Sequence, residues 1–305
     1  MRALLVAALL GWAARPAWAL SSGADFLKVE LPARPAALAG AYGAFSDDAS
    51  GFLWNPAALG DQKQFQLGVT HFNSILDTSF DQVVYAQPLN LLGSKSGLGL
   101  EFQRSSTANF DQTDLNGNDV GAIENYDLVL GGALGMGLAP GVRLGVGAKF
   151  FDSRLAEFDA KGFSADLGVQ QTLNPWITLA ASLADMGMQQ AFDKVADPLP
   201  SRLRLALKSQ VVDSPEVFIQ AGAELDRPLT TTDATTLGLG VEYWYRRTLA
   251  FRAGWKFGVD LGPLSLGLGF KYRGLSFDYA YNTLGDLGLT HRLSLGVELG
   301  DLFHL

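Results

Sequence analysis

From Gln64 to Leu299 the chain is a succession of segments in which every second residue is apolar. Each is roughly nine to eleven residues long, the length a tilted strand needs to cross a bilayer. One sets Val142, Leu144, Val146, Ala148 and Phe150 on one side and Arg143, Gly145, Gly147 and Lys149 on the other. The same division recurs in Leu203, Leu205 and Leu207 against Arg202, Arg204 and Lys208, and in Leu264, Leu266, Leu268 and Phe270 against Ser265, Gly267, Gly269 and Lys271. It returns in Leu293, Leu295, Val297 and Leu299 against Arg292, Ser294, Gly296 and Glu298. A soluble sandwich also alternates, but its polar side meets water. Here the polar sides hold glycine and charges of both signs, which suits the lumen of a transmembrane barrel whose apolar sides meet lipid.

Alternation predicts about fourteen strands, an even number as in bacterial outer-membrane barrels. They begin near Phe65, Gln82, Gly97, Tyr126, Val142, Phe163, Trp176, Arg202, Val217, Thr236, Leu249, Leu264, Leu275 and Thr290. Longer links follow the odd-numbered strands, notably Ser105 to Asn125 and Asp185 to Pro200. Tight turns such as Asn174-Pro175, Arg246-Arg247 and Arg273-Gly274 follow the even ones. Short periplasmic turns and long outer loops alternate in this way. Aromatic girdles are expected from Trp176, Tyr243, Tyr245 and Tyr272 on the periplasmic side, and from Phe150, Phe151, Trp255, Phe257, Tyr279 and Tyr281 at the outer rim.

Residues 1–19 read as a secretory signal peptide, with Arg2, an apolar run, and Ala17-Trp18-Ala19 as the cleavage site. An exported chain with no cysteine and slightly positive mean hydropathy, yet no apolar run long enough for a spanning helix, fits a β-barrel. A net charge of −8 argues against a nucleic-acid partner. Asp111, Asp114, Asp119 and Glu124 fall in expected loops.

The stretch Ala33 to Leu59 does not alternate. Asn55-Pro56-Ala57 reads as a capped corner, with Asn at the N-cap and Pro at the first helical position. Asp47-Asp48-Ala49-Ser50 caps a second short turn. A few compact helical turns are expected. Fourteen strands leave a lumen wider than their own side chains fill. The inward glycines Gly145, Gly147, Gly238, Gly240, Gly254, Gly267, Gly269 and Gly296 make room for this stretch. Asp47 and Asp48 would then meet inward cations such as Arg202, Arg204, Arg252 or Lys271, as anchors or also as parts of a gate.

The same residues carry a family resemblance. The pattern ARPAALAGAYGAFSDDASGFLWNPA resembles the plug, or hatch, of the long-chain fatty-acid channel (FadL) superfamily, and is more similar still to its PorV/PorQ branch. Tyr279-Ala280-Tyr281 and Gly285 to Arg292 resemble that branch's closing strands. The resemblance implies a signal peptide over 1–19, a helical plug over 20–63 built on Asp47, Asp48, Ser50, Asn55, Pro56 and Ala57, and an outer-membrane β-barrel over 64–305 of a diderm bacterium. It implies passage or binding of a hydrophobic compound lined by Phe45, Phe52, Leu53, Trp54, Phe72 and Phe218, and no cofactor. The alternative it implies is a type IX secretion component that receives secreted proteins on its outer loops. A plugged scaffold or general porin needs no special residues.

No catalytic constellation stands out. His71, His291 and His304 are far apart in sequence, and His291 reads as an interfacial anchor. Asp111, Asp114, Asn116, Gly117, Asn118 and Asp119 miss the spacing of a calcium loop and suit an Asn-Gly turn. Gly131-Gly132 has two readings, a kink that opens the wall or room for the plug. The chain ends on Leu305 with Phe303 before it, where outer-membrane barrels commonly end on an aromatic.

Overall fold

The computed structural model describes residues 23–45, 47–74, 78–113, 116, 119–188, 190–191, 196–260, 262–283 and 288–302. The expected signal peptide, Asp114, Gly117 and Asn118 of the candidate calcium turn, His304 and the terminal Phe303 and Leu305 lie outside them. Seven strands come first: β1 Gln66–Asn73, β2 Thr78–Leu91, β3 Ser94–Thr113, β4 Asp119–Ala139, β5 Val142–Leu155, β6 Phe158–Asn174 and β7 Ile177–Gly187. A small hairpin follows, β8 Gln190–Ala191 and β9 Ala196–Asp197. Seven more complete the chain: β10 Arg202–Asp213, β11 Val217–Pro228, β12 Thr236–Tyr245, β13 Leu249–Phe257, β14 Leu264–Tyr272, β15 Leu275–Thr283 and β16 Leu289–Glu298. Apart from the hairpin, these strands pair antiparallel with their neighbours, and β1 pairs with β16 to close a fourteen-stranded barrel.

The period of two decides which way the wall faces. Leu266, Leu268 and Phe270 on β14, and Leu293 and Leu295 on β16, are exposed on the outer surface, whereas Ser265 is buried inside. Val146 and Phe150 on β5 point outward, while Arg143 is buried inward. Slipping any strand by one residue would exchange the two sets, so each segment fixes its own orientation. The outer face is a band of Leu, Val and Phe, as a lipid-facing wall requires. Arginine in place of Leu268, at mid-strand on this band, should cost about 2–4 kcal/mol. Unfolding from lipid vesicles would measure it, and a neutral result would mean that this face does not meet lipid.

Several strands outrun their expected lengths. The stretch 105–125, read as a link, is mostly strand: β3 and β4 go on pairing to Thr113 and Asp119, with shifts near Thr107 and Gln112. Antiparallel hydrogen bonding needs no apolar stripe, so a hairpin can continue into water after the lipid-facing pattern has ended. The link after β5 is a tight turn, not a long loop. Phe151, expected in the outer girdle, is buried against Phe26. It stands beside outward Phe150, and alternation puts only one of the pair in the lipid. Gly131 to Gly135 stay in register with both β3 and β5, and the irregularity in β4 falls at Gly137 to Ala139.

The residues before β1 form short turns instead of one helix. A 3-10 turn spans Asp25–Lys28, short α-helices span Ala33–Ala37 and Gly51–Trp54, and a second 3-10 turn covers Pro56–Asp61. Ala39 and Gly40 have positive φ, which reverses the chain after the first helix. The Asn55 side chain accepts from the Ala57 N–H at 3.0 Å, with Pro56 at the first helical position.

Candidate functional site

Two rows of glycine receive these turns on the inner wall. The register aligns Gly97, Gly135, Gly145 and Gly168 across β3, β4, β5 and β6. A Cβ on Gly97 would lie 2.5 Å from the Leu59 carbonyl oxygen, one on Gly145 2.2 Å from the Pro56 carbonyl carbon, and one on Gly168 2.0 Å from Asn55 Oδ1. The second row is Gly222, Gly240 and Gly254 on β11, β12 and β13. It holds Leu38, Ala39 and Ala41, with hypothetical Cβ distances of 2.5 to 2.7 Å. Of the other inward glycines, Gly238 and Gly267 also touch this segment, while Gly147, Gly269 and Gly296 face wall side chains.

Polar contacts then fix the segment in place. Asn55, 1% exposed, donates its Nδ2 to the carbonyls of Val169 and Ala181, both at 3.1 Å, and so stitches the corner to β6 and β7. Ser182 Oγ donates to the Trp54 carbonyl at 3.0 Å. The Tyr42 and Gly43 N–H groups donate to Glu224 on β11 at 3.1 and 2.6 Å. Asn55→Ala leaves one donor and two wall carbonyls without this partner. It should destabilise docking by about 1–3 kcal/mol, read as faster amide exchange in residues 50–60.

Arg34 is the electrostatic centre of the segment. Its guanidinium, 8% exposed, donates from Nε and Nη2 to the two oxygens of Glu242, both at 2.8 Å. Nη1 reaches Asp48 at 2.9 Å and Nη2 reaches Asp47 at 2.8 Å. Glu242, fully buried on β12, also accepts from Arg252 Nε at 2.6 Å, and Arg252 Nη1 continues to Asp278 at 2.6 Å. Tyr42 donates its hydroxyl to Asp48. The two acids therefore meet a cation of their own segment, and the expected pairing with wall arginines is corrected. Arg202 and Arg204 instead pair with Asp226 at 3.2 and 3.4 Å, and Lys271 pairs with Glu298 at 2.7 Å. Inward charges on adjacent strands satisfy one another wherever the register sets opposite signs side by side.

Loss of water around the Asp47 carboxyl pushes its pKa up, but Arg34, with Lys208 behind it, outweighs this and holds it below the ordinary 3.8. A depressed carboxylate contributes in full above its unfolded value and is lost as pH falls through the folded one. The Asp47 share of docking, read as the difference in protease protection between wild type and Asp47→Asn, should therefore be constant from pH 7 to 5 and fade only below 3.8.

The six candidate lining residues do not share one pocket. Phe45 and Trp54 pack with Leu38 and Tyr42, and Phe52 packs with Leu59, Val84 and Ala133; Leu53 lies between these groups. Phe72 stacks on Phe80 beside Leu31, with Arg292 over its face. Phe218 lies under the Arg247 guanidinium at 3.6 Å. Two cavities flank the segment. One has Leu27, Val29, Leu31, Leu53, Trp54 and Val129 on its apolar sides and Gln82, Glu101, Lys149 and Arg204 on its polar side. The other runs along β1, β15 and β16 past Gly68, Ser276, Asp278 and Ser294. It shares Gln66 and Glu298 with a vestibule bordered by Asp47, Lys208 and Lys271.

Sequence reasoning did not single out Arg34, Glu242, Glu224, Lys149 or Asp185. Glu242 is legible as the one acid in an inward run of Gly238 and Gly240, but nothing local links it to Arg34. His71 and His291 lie at the outer ends of their strands, on Asp81 at 2.7 Å and on the Tyr279 hydroxyl at 2.6 Å. Among the described residues no cluster of three or more acids and histidines is placed to hold a metal.

A closed fourteen-stranded barrel with an apolar outer wall and a charged interior is an outer-membrane channel fold, and solved structures agree. A FadL homologue from Pseudomonas aeruginosa superposes with a TM-score of 0.60 at 13% identity, covering 94% of this chain and 100% of that one. The monoaromatic hydrocarbon channel CymD gives 0.59 at 12%, covering 88% and 97%. The toluene transporter TbuX of Ralstonia pickettii gives 0.58 at 14%, covering 88% and 98%. At such identities the shared property is the fold. No curated protein matches the sequence. By sequence, the chain belongs to the uncharacterised protein family UPF0164, whose model matches residues 20–174.

Proposed function

We propose that this protein is an outer-membrane channel that binds hydrophobic compounds and passes them inward, with residues 20–63 as its plug, 64–305 as the barrel and 1–19 as a cleaved signal peptide. One observation supports the reading: the turns before β1 pack against two glycine rows of the inner wall, and the space they leave against β2 to β5 has an apolar side formed largely by the same turns. Cargo in that cavity touches Leu27, Leu53 and Trp54 of the plug, so a shift of the plug both admits and releases it. Asp47, Asp48, Ser50 and the Asn55 corner act as anchors in this scheme, and Arg34 is the fastening they share. That the superposed structures include hydrocarbon channels supports a lipophilic cargo. Kinship with the PorV/PorQ branch rests on the N-terminal motif and the closing strands, and the channel reading is placed ahead of the secreted-protein role because the superposed structures are channels and transporters.

The test is a lock. Ala44 and Ala206 pack in one buried cluster between plug and wall, and the chain has no cysteine of its own. The double variant Ala44→Cys, Ala206→Cys should take up labelled toluene when reduced and lose most of that uptake when oxidised. Equal uptake in both states, or uptake no faster than through vesicles without the barrel, would rule the mechanism out.

A further inference from the structure

Three arginines stand where hairpin turns call for Asn or Gly. Arg246 and Arg247 lead from β12 to β13 with φ of 50° and 53°, and Arg273 precedes Gly274 between β14 and β15 with φ of 48°. Few side chains other than Asn and Asp occupy this left-handed region readily, which makes the repeated choice of arginine informative. Both turns lie at the end of the barrel where β1 begins and β16 ends: the Leu299 N–H donates to the Phe65 carbonyl at 2.9 Å, and the Glu298 N–H to that of Gly274 at 2.7 Å.

Arg246 and Arg273 are exposed and fold back along the outer wall. The Arg246 guanidinium lies 5.3 Å from the centre of the Tyr245 ring, and that of Arg273 lies 5.3 Å from the Tyr272 ring. Both tyrosines belong to the exposed, outward set. Among the described residues neither arginine forms an ion pair, and Glu216 on the next turn meets Arg246 through its backbone carbonyl, at 2.7 Å from the Arg246 nitrogen. Arg247 does the opposite: it lies 3.6 Å from the ring of inward Phe218 and pairs with Asp213 at 2.5 Å. Between the two exposed cations, outward Leu249 and Phe270 stand opposite one another in the register of β13 and β14. The Lys271 N–H, bonded to the Thr248 carbonyl at 2.8 Å, holds the two turns side by side. An apolar shelf with two unmatched positive charges at its watery edge complements an amphiphile with a negative head.

We propose that this shelf binds an anionic phospholipid of the periplasmic leaflet, such as phosphatidylglycerol, with its phosphate between the Arg246 and Arg273 guanidiniums and its acyl chains along Leu249 and Phe270. The channel reading supplies only which end faces the periplasm. The site itself is on the outer wall, apart from the plug and its cavities. Guanidinium N–H groups match phosphate oxygens in geometry and charge, while a zwitterionic lipid neutralises its own phosphate and gains less.

Native mass spectrometry of the full-length barrel in detergent, titrated with phosphatidylglycerol, phosphatidylethanolamine and inorganic phosphate, tests this. The first phosphatidylglycerol should bind several-fold tighter than phosphatidylethanolamine, and phosphate should neither bind nor compete. Arg246→Asn and Arg273→Asn should each weaken phosphatidylglycerol about 5-fold, and the two together about 25-fold, with phosphatidylethanolamine little changed. Asn tolerates the left-handed turn better than arginine, so these barrels should melt no lower than the wild type. Arg247→Asn, whose charge is already matched, should weaken phosphatidylglycerol by about 2-fold at most. Equal affinity for the two lipids, wild-type binding in the double variant, or displacement of phosphatidylglycerol by phosphate would overturn the proposal. Should the double variant not fold, the wild-type ranking of the two lipids decides. None of these results bears on the cargo route, which the cysteine lock tests separately.

Discussion

Arg34→Ala is expected to unfasten the N-terminal segment while leaving the barrel closed. The guanidinium satisfies three carboxylates at once; its loss leaves half-exposed Asp47 without this partner, leaves Asp48 to Tyr42 and Ser50, and halves the compensation of fully buried Glu242. Breaking one side of a buried ion pair costs about 3–5 kcal/mol when the remaining charge stays dehydrated and unpaired, and less here, where Arg252 stays on Glu242 and Asp47 is half exposed. Here that cost falls on docking. Arg252 still holds Glu242 from the next strand, and the wall's backbone ladder does not involve Arg34. The variant should keep its barrel spectrum and its heat resistance in detergent, expose residues 23–63 to protease, and conduct ions in planar bilayers. Arg34→Lys keeps the charge but not the planar fork that reaches Glu242 through two nitrogens, and should fall between the two. Wild-type protection and a sealed bilayer in Arg34→Ala would show that the segment is held by shape alone.

How far the sequence foretells this arrangement depends on the range of the interaction. Alternation is local, so the strand count, the outward Leu266 and Leu295 and the inward Arg143 and Arg204 are all readable from neighbouring residues. The Asn55-Pro56 corner is equally local and forms as its capping chemistry requires. Arg34 and Glu242 lie far apart in the chain, and Arg34 stands in an Ala- and Pro-rich stretch whose pattern marks no buried cation. Inward glycines are visible one at a time. That Gly97, Gly135, Gly145 and Gly168 share a row is a property of the register of four strands, which depends on turn lengths and bulges that no single segment encodes.

The glycine row makes a sharper prediction than the ion pairs, because it separates docking from barrel folding within one strand. Gly145→Val would place a Cβ 2.2 Å from the Pro56 carbonyl carbon and 2.4 Å from the Ala57 nitrogen. Both are backbone atoms of a corner that Asn55 pins to the carbonyls of Val169 and Ala181, so no flexible side chain can yield. The corner must leave its seat. Valine suits a strand better than glycine, so β5 itself should not suffer. The barrel should therefore melt at or above the wild-type temperature while residues 54–60 become open to exchange and protease, and while ion conductance rises several-fold from a sealed baseline. Gly147→Val supplies the control. It is the next inward position on β5, where a Cβ would meet Asp166 Cβ at 3.4 Å, an ordinary contact, and nothing of the segment. If glycine at 145 serves the strand and not the corner, the two variants will behave alike. If it seats the corner, only the first will leak, and a sealed, protected Gly145→Val barrel would mean that the segment is free to sit elsewhere in the lumen.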